Sequence, residues 1–392
     1  MIFVSLGTIL VALWWLLILE LFGLVVFPLA HRVFSRMPDR GWAFSKPLGL
    51  LMVGFCTWLI GLTHTIPNSR WSVLLALVIV AALSWAASRG TMDDLRSFVR
   101  RRGSVVLTAE LLFIAAFLGM TLFRASVTDI GATEQPMDFM FLNAVVTSQF
   151  YPPMDPWLSG ETVSYYYLGY LMTGAVTMLS GIGTPVAYNL GLATAAAMGG
   201  IAAFGVTYNL VRLARGSDDG AVFAGIAAAF LLLVASNLVG GLELVRATGV
   251  GGEQFWAAVG IEGYTAPSGP SASWRPDETF LWWWRASRVV PPGHINEFPL
   301  FSFLVGDLHP HVMSMGFVLL TVGVSMQLYL QQGLLHLRRG IAPQALMVGL
   351  VGAILVLVTL LTEASLLWAL PLTAIASTAF LGALWPLGLV VV

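Results

Sequence analysis

Apolar runs close to the ~20 residues that an α-helix needs to cross a hydrocarbon core recur along almost the whole chain. They cover residues 2–30, 47–66, 71–88, 105–123, 185–211, 221–240, 312–332, 342–361 and 365–387. A further run at 165–179 is shorter and is interrupted by Gly169 and Gly174. Hydrocarbon offers the backbone no water to bond with, so such runs become helices that satisfy their own N–H and C=O groups. Composition agrees: 58% of residues are hydrophobic and 10% charged, against about 25% charged in soluble domains. A soluble globular fold is excluded. The expected fold class is an all-α polytopic membrane protein of about nine transmembrane helices plus a juxtamembrane helix.

Charge sets the expected orientation, because positive residues are retained in the cytoplasm. They crowd the loops 32–46 (Arg32, Arg36, Arg40, Lys46) and 89–103 (Arg89, Arg96, Arg100, Arg101, Arg102). Residues 125–164 instead hold Asp129, Glu134, Asp138, Asp155 and Glu161 and no basic residue. If 165–179 crossed the membrane, Arg212 and Arg215 would fall outside and the long segment 241–311 inside. If it lies at the interface, Arg212, Arg215, Arg338 and Arg339 are all cytoplasmic, and outer loops at 125–184 and 241–311 share one non-cytoplasmic face. The second arrangement is expected, and the tyrosines that open the short run suit the headgroup layer.

The chain then divides into N-terminal transmembrane helices at 1–104 and a membrane core at 105–392. The expected location is the plasma membrane of a prokaryote. The sequence ends within apolar residues at 389–392, so continuation beyond them in a longer protein is expected. A net charge of −1 offers nucleic acid no basic groove. The single cysteine, Cys56, lies in an apolar run and excludes an intramolecular disulfide.

Residues able to do chemistry gather in the two outer loops. Glu134 and Asp138 are four apart and share a face of any helix that contains them, with Pro136 favouring a first turn. Paired carboxylates above a membrane can hold a divalent cation, or one can act as a base with its pKa raised by the other. Solvation of a loop is the plainer explanation of acidity; the Pro, Met, Phe and Trp residues bracketing these carboxylates argue for a buried site. Asp155 and Trp157 continue the pattern within Tyr151-Pro152-Pro153-Met154-Asp155-Pro156-Trp157. On a helix Tyr165, Tyr166 and Tyr167 would point about 100° apart and could not all face one ligand. They fit an aromatic belt, with one hydroxyl free to reach a site.

In the second loop, Arg285 and Arg288 follow Trp282-Trp283-Trp284 three apart, suited either to gripping phosphate oxygens or to snorkelling toward headgroups. Asn296 and Glu297 come next. Asp307, His309 and His311 alternate, so an extended strand presents all three to one side, as metal-binding or acid/base groups require. Their spacing does not match a closed structural zinc site.

Glu134-Gln135-Pro136-Met137-Asp138-Phe139, Pro152-Pro153-Met154-Asp155-Pro156-Trp157, Tyr165-Tyr166-Tyr167, Asn296-Glu297-Phe298-Pro299 and Gly306-Asp307-Leu308-His309-Pro310-His311 together resemble the signature of the "YYY" membrane proteins. That family is uncharacterised and takes its name from the triple tyrosine. The resemblance covers residues 105–361, with one departure. Where members carry an Asn-Thr-Trp-Asp-like motif, this chain has Leu361-Thr362-Glu363-Ala364.

The architecture in turn distantly resembles the GT-C glycosyltransferases, which include oligosaccharyltransferases and protein mannosyltransferases. In those enzymes an acidic residue lies just beyond a span in the first outer loop, and sugar is moved from a polyprenyl phosphate donor. The resemblance implies that Asp138 or Glu134 takes the proton of an acceptor hydroxyl. It implies that Arg285 or Arg288, with a divalent metal ion held among Asp307, His309 and His311, receives the departing lipid phosphate. Asp155, Trp157, the three tyrosines, Asn296 and Glu297 would contact substrate. Membrane lipid, a lipid-linked sugar donor and an unidentified acceptor are the implied partners. The competing expectations are a transporter or lipid flippase, which the scarcity of ionisable residues inside the spans (Glu20 and Glu110) disfavours, and a non-catalytic assembly subunit. Convergence of Asp138, Tyr166, Asp307 and His309 on one cavity open to lipid and water would favour the enzyme.

Overall fold

The computed structural model describes residues 6–261, 282–288 and 294–335. Among the described residues all regular elements are helices, and the sole β feature is an isolated bridge between Met154 and Thr162. In chain order they are α1 (Leu6–Val33), α2 (Trp42–Leu62), α3 (Arg70–Ala87), α4 (Met92–Arg101), α5 (Gly103–Ser126), α6 (Gln135–Thr147), α7 (Leu168–Ser180), α8 (Thr184–Arg215), α9 (Ala221–Phe230), α10 (Val239–Ala247), α11 (Glu253–Val259), α12 (Trp282–Ala286), α13 (Pro299–Val305) and α14 (Pro310–Leu335). Six of them, α1, α2, α3, α5, α8 and α14, are long and apolar enough to cross a membrane. A seventh crossing arises if α9 continues through the π turn Leu231–Ala235 into α10, a path bent by 66°. The expected spans at 342–361 and 365–387 and the motif at Leu361–Ala364 lie outside the described residues.

The bundle is built around α8, where 89% of the most apolar stretch is buried. Its small residues let other helices approach closely. A side chain at Gly205 would collide with Ala43 of α2, and one at Gly316 of α14 would collide with Met198.

α2 begins at Trp42, which moves Lys46 from the expected cytoplasmic loop into a helix. Lys46 is buried, its Nζ 3.2 Å from Glu20 Oε2 and 2.5 Å from Glu110 Oε1. Trp42 Nε1 donates to the same Glu110 oxygen at 2.7 Å. The two carboxylates give the ammonium the partners that lipid cannot supply. Hydropathy along one segment cannot register partners supplied by two others.

α7 holds 13 residues, about 20 Å of helix against a hydrocarbon core of about 30 Å. Its entry, Tyr167, accepts a hydrogen bond from Trp58 near the end of α2, and its exit, Gly181, lies beside Arg70 at the start of α3. Both are at the same end of the bundle. The left-handed Gly181 stops the helix, and Pro185 starts the next one.

The two ends of the bundle differ in charge. At one end α4 and the loops after α1 and α8 bring arginines together around Asp94 and Asp218. At the other, the segment 127–167 meets 294–311, and neither segment holds a lysine or an arginine.

Candidate functional site

The acidic end is assembled by four residues that fasten the two long segments to each other and to the bundle. Gln135 accepts hydrogen bonds from the backbone N–H groups of Gly131 (2.9 Å) and Ala132 (3.2 Å) and donates to Val305 O (2.7 Å). Thr133 donates to Asp307 Oδ1 at 2.6 Å. Tyr188 on α8 donates to Gly306 O (3.1 Å) and accepts from Leu308 N (3.0 Å). Arg124, at the end of α5, is buried and donates to Asn189 Oδ1 at 2.8 Å and to Asp129 O at 3.4 Å. Its guanidinium fills the space over Gly306, whose φ of +82° suits glycine and where any side chain would collide with it.

On this frame Glu134 stands at the N-cap of α6 and Asp138 in its first turn, as Pro136 foreshadows. They differ in access. Glu134 is more than half exposed, and its Oε2 lies 2.9 Å from His309 Nε2. Asp138 is fully buried; it accepts from Tyr170 Oη at 2.6 Å through Oδ1, while Oδ2 has no hydrogen-bond partner. Burial pushes the Asp138 carboxyl up to about 7, Tyr170 works against that shift, and the nearby Asp307 and Glu134 add to it. Asp307 is pushed up to about 6, first by burial, with Glu134 and Glu297 contributing and the Thr133 hydrogen bond opposing.

His309 and His311 face each other through their Nδ1 atoms, 2.5 Å apart. Each Nε2 is backed by a carboxylate, Glu134 for His309 and Glu297 at 2.8 Å for His311. Each Nε2 also lies 3.2 Å from a hydroxyl, that of Tyr165 for His309 and that of Ser302 for His311. Burial, and then His311, hold His309 below the ordinary histidine value. Glu297 sits below the usual carboxylate range, chiefly through its hydrogen bond with His311.

The three tyrosines diverge. Tyr165 stacks on Phe141 and brings its hydroxyl to 3.2 Å from His309 Nε2. Tyr166 is exposed, and Tyr167 is half-buried and bonded to Trp58. All three line an apolar cavity of about 720 Å³ between α2, α7 and α14, whose other walls include Phe55, Trp58, Met172 and Phe317 and whose rim carries His311. Of the four residues whose convergence on one cavity would favour the enzyme, Tyr166 lines this one, whereas Asp138, Asp307 and His309 do not.

Other expected residues sit elsewhere. Arg285 grips the buried Glu243 of α10, with Nε and Nη2 each 2.7 Å from Oε1. Arg288 lies over the ring of Trp284, 4.2 Å from its centroid. Asp155 accepts from the backbone N–H groups of Trp157 (2.8 Å) and Leu158 (3.2 Å), which makes it a turn former, and Trp157 is exposed. Asn296 donates its backbone N–H to Ser287 O. Among the described residues no group of three or more His, Cys, Asp or Glu side chains is arranged to hold a metal ion. The two facing imidazoles supply two donors, and Asp307 is turned toward Thr133.

Arg124, Thr133, Gln135, Tyr170 and Tyr188 escaped the sequence reading. Arg124 had a signal: it is the only basic residue between Gly103 and Val211, and it stands at the opposite end of α5 from Arg102 and the arginine cluster there.

The family described as "Uncharacterized membrane protein (DUF2298)" matches residues 52–385. No curated protein and no solved structure matches the chain.

Proposed function

The chain belongs to the DUF2298 family of uncharacterized membrane proteins, and from that premise we propose that it is a glycosyltransferase. It would move a sugar from a polyprenyl phosphate to an acceptor at the acidic, non-cytoplasmic end of the bundle. The observation that carries this reading is the junction of the His309/His311 pair with the ~720 Å³ apolar cavity. A substrate with a phosphate head and a long hydrocarbon chain needs both, side by side.

In the proposed step an acceptor hydroxyl attacks the anomeric carbon and its proton passes to Glu134, the exposed member of the carboxylate pair. The bond from that carbon to the phosphate oxygen breaks with its electron pair on the oxygen. A proton carried by His309 or His311 would face the new negative charge. Attack opposite the leaving group inverts the anomeric centre. Asp138 acts through Tyr170 as a positioning residue, because its buried carboxyl does not reach substrate. No step is routed through a metal, since two imidazole donors fall short of the three that catalytic zinc keeps.

The test supplies the purified chain with polyprenyl phosphate sugars of long and short chain length and measures released lipid phosphate. Release from the long-chain donor, with a lower kcat/KM for the short one, is expected. No release from any donor contradicts the reading.

A second reading, lipid transport, has its own support. The Lys46, Glu20 and Glu110 group inside the bundle and the 66° break after α9 are features of carriers. Transport would move the donor between leaflets with its sugar intact.

A further inference from the structure

The basic end holds a second pocket, of about 470 Å³, distant from the acidic cluster. Five arginines line it: Arg36, Arg40, Arg101, Arg102 and Arg212. They come from three separate stretches of chain, the loop after α1, the end of α4 and the end of α8. Retention of positive charge on one side of a membrane requires arginines near that surface. It does not require them to converge on one concavity.

The convergence is built by buried polar groups. Asp39 is buried and accepts hydrogen bonds from Asn209 Nδ2 on α8 (2.8 Å) and from the backbone N–H groups of Gly41 (3.0 Å) and Ala43 (3.2 Å). Its own N–H donates to Asn209 Oδ1 at 3.1 Å. The backbone N–H of Arg36 donates to Gln327 Oε1 of α14 at 3.1 Å. The loop between α1 and α2 is thereby tied to α8 and α14, and it holds Arg40 in the left-handed region at φ 51°, which non-glycine residues rarely occupy. Such fixing brings Arg36 and Arg40 to the pocket before any ligand arrives.

The charges there do not balance. Asp94 lies 3.6 Å from Arg40 and 3.8 Å from Arg101, and it also meets His31 at 3.7 Å. Asp218 lies 2.5 Å from Arg102 and 2.8 Å from Arg212. Two carboxylates pair with these guanidiniums, the buried Asp39 being turned to Asn209 and to backbone N–H groups, and Arg36 makes no side-chain ion pair among the described residues. Guanidinium forks match phosphate oxygens in shape as well as charge. Basic pockets between transmembrane helices hold phosphorylated headgroups for this reason.

We propose that this pocket is a binding site for a phosphate-bearing anion, separate from the acidic site and independent of its chemistry. The phosphate comes either from the headgroup of an anionic lipid or from a soluble phosphate compound.

The experiment follows the thermal unfolding midpoint of the full chain in a neutral detergent at fixed ionic strength. One arm adds inorganic pyrophosphate, and the other adds mixed micelles of phosphatidic acid in phosphatidylcholine, with phosphatidylcholine alone as the blank. A saturable rise in at least one arm is expected, because a ligand that binds only the folded state stabilises it. A rise with pyrophosphate assigns a soluble source, and a rise confined to phosphatidic acid assigns a headgroup. The double variant Arg36→Gln, Arg101→Gln removes two exposed side chains and is expected to weaken the apparent affinity by roughly tenfold or more. Arg96→Gln, on the same helix as Arg101 but outside the pocket, is expected to keep the rise intact. No rise in either arm, or the same affinity in the double variant as in the wild type, overturns the proposal.

Discussion

The two ends of the bundle treat carboxylates in opposite ways: Asp218 at the basic end is exposed and paired with arginines, Asp138 at the acidic end is buried among other acids. At the basic end Asp218 is shared between Arg102 and Arg212 and accepts from Tyr208. Although burial works the other way, the Tyr208 hydrogen bond and then the arginines hold it below the usual carboxylate range. At the acidic end Asp138 and Asp307 face other carboxylates, and burial pushes them up to about 7 and about 6. Opposite charges packed together fix a structure at any ordinary pH. Like charges crowded out of water keep their protons poised near neutrality, which acid/base chemistry requires.

The largest expected effect breaks the pairing rule on the basic side of the bundle. Lys46→Met leaves the partly buried Glu20 and Glu110 without their ammonium and is expected to cost about 3–5 kcal/mol, read from denaturant unfolding in detergent. Adding Glu20→Gln and Glu110→Gln should return most of it. At the acidic end Gly306→Ala, forced into φ +82° against Arg124, is expected to cost about 1–3 kcal/mol by the same measurement.

A pH series sharpens the contrast. A carboxyl whose folded pKa is raised binds its proton more readily folded than unfolded, so stability is greatest at low pH and falls as pH rises toward the folded value. Asp138 and Asp307 therefore stabilise the acidic end as pH drops from about 8 to about 5. Asp218, with a lowered pKa, has the opposite sign: its contribution is present above the ordinary carboxylate range and is lost only as pH falls below it. Hydrogen exchange over that window should show protection growing in α6 and unchanged at the end of α8. Asp138→Asn, which keeps the oxygen that Tyr170 needs, should flatten the α6 response. The smallest effect is expected from Tyr165→Phe, which removes the hydroxyl beside His309 and should slow transfer by roughly two- to tenfold with little change in melting temperature.

Much of the frame was legible in the sequence because membrane spans announce themselves over twenty residues at a time. The placing of Glu134 and Asp138 at the start of α6 was legible because it is local geometry, whereas the expected strand through Asp307, His309 and His311 ends at 309: α14 begins at Pro310 and takes His311, and Asp307 turns to Thr133. Lys46 was misplaced because its partners come from α1 and α5. Arg285 and Arg288 looked suited to phosphate, yet Glu243, some forty residues earlier, holds the first and Trp284 the second. The difference in access between Glu134 and Asp138 was equally hidden, since Tyr170 and Asp307 approach from other elements. What a single segment contains could be read; what distant segments bring to it could not.

The most direct test of transfer at the acidic end is the single-turnover rate of lipid phosphate release by Glu134→Gln and Arg96→Gln, measured side by side with the wild type. Both side chains are exposed, so both variants should fold. Loss on the order of 10²-fold or more in Glu134→Gln, with Arg96→Gln at the wild-type rate, is the expected result. Equal rates in the two variants would contradict it.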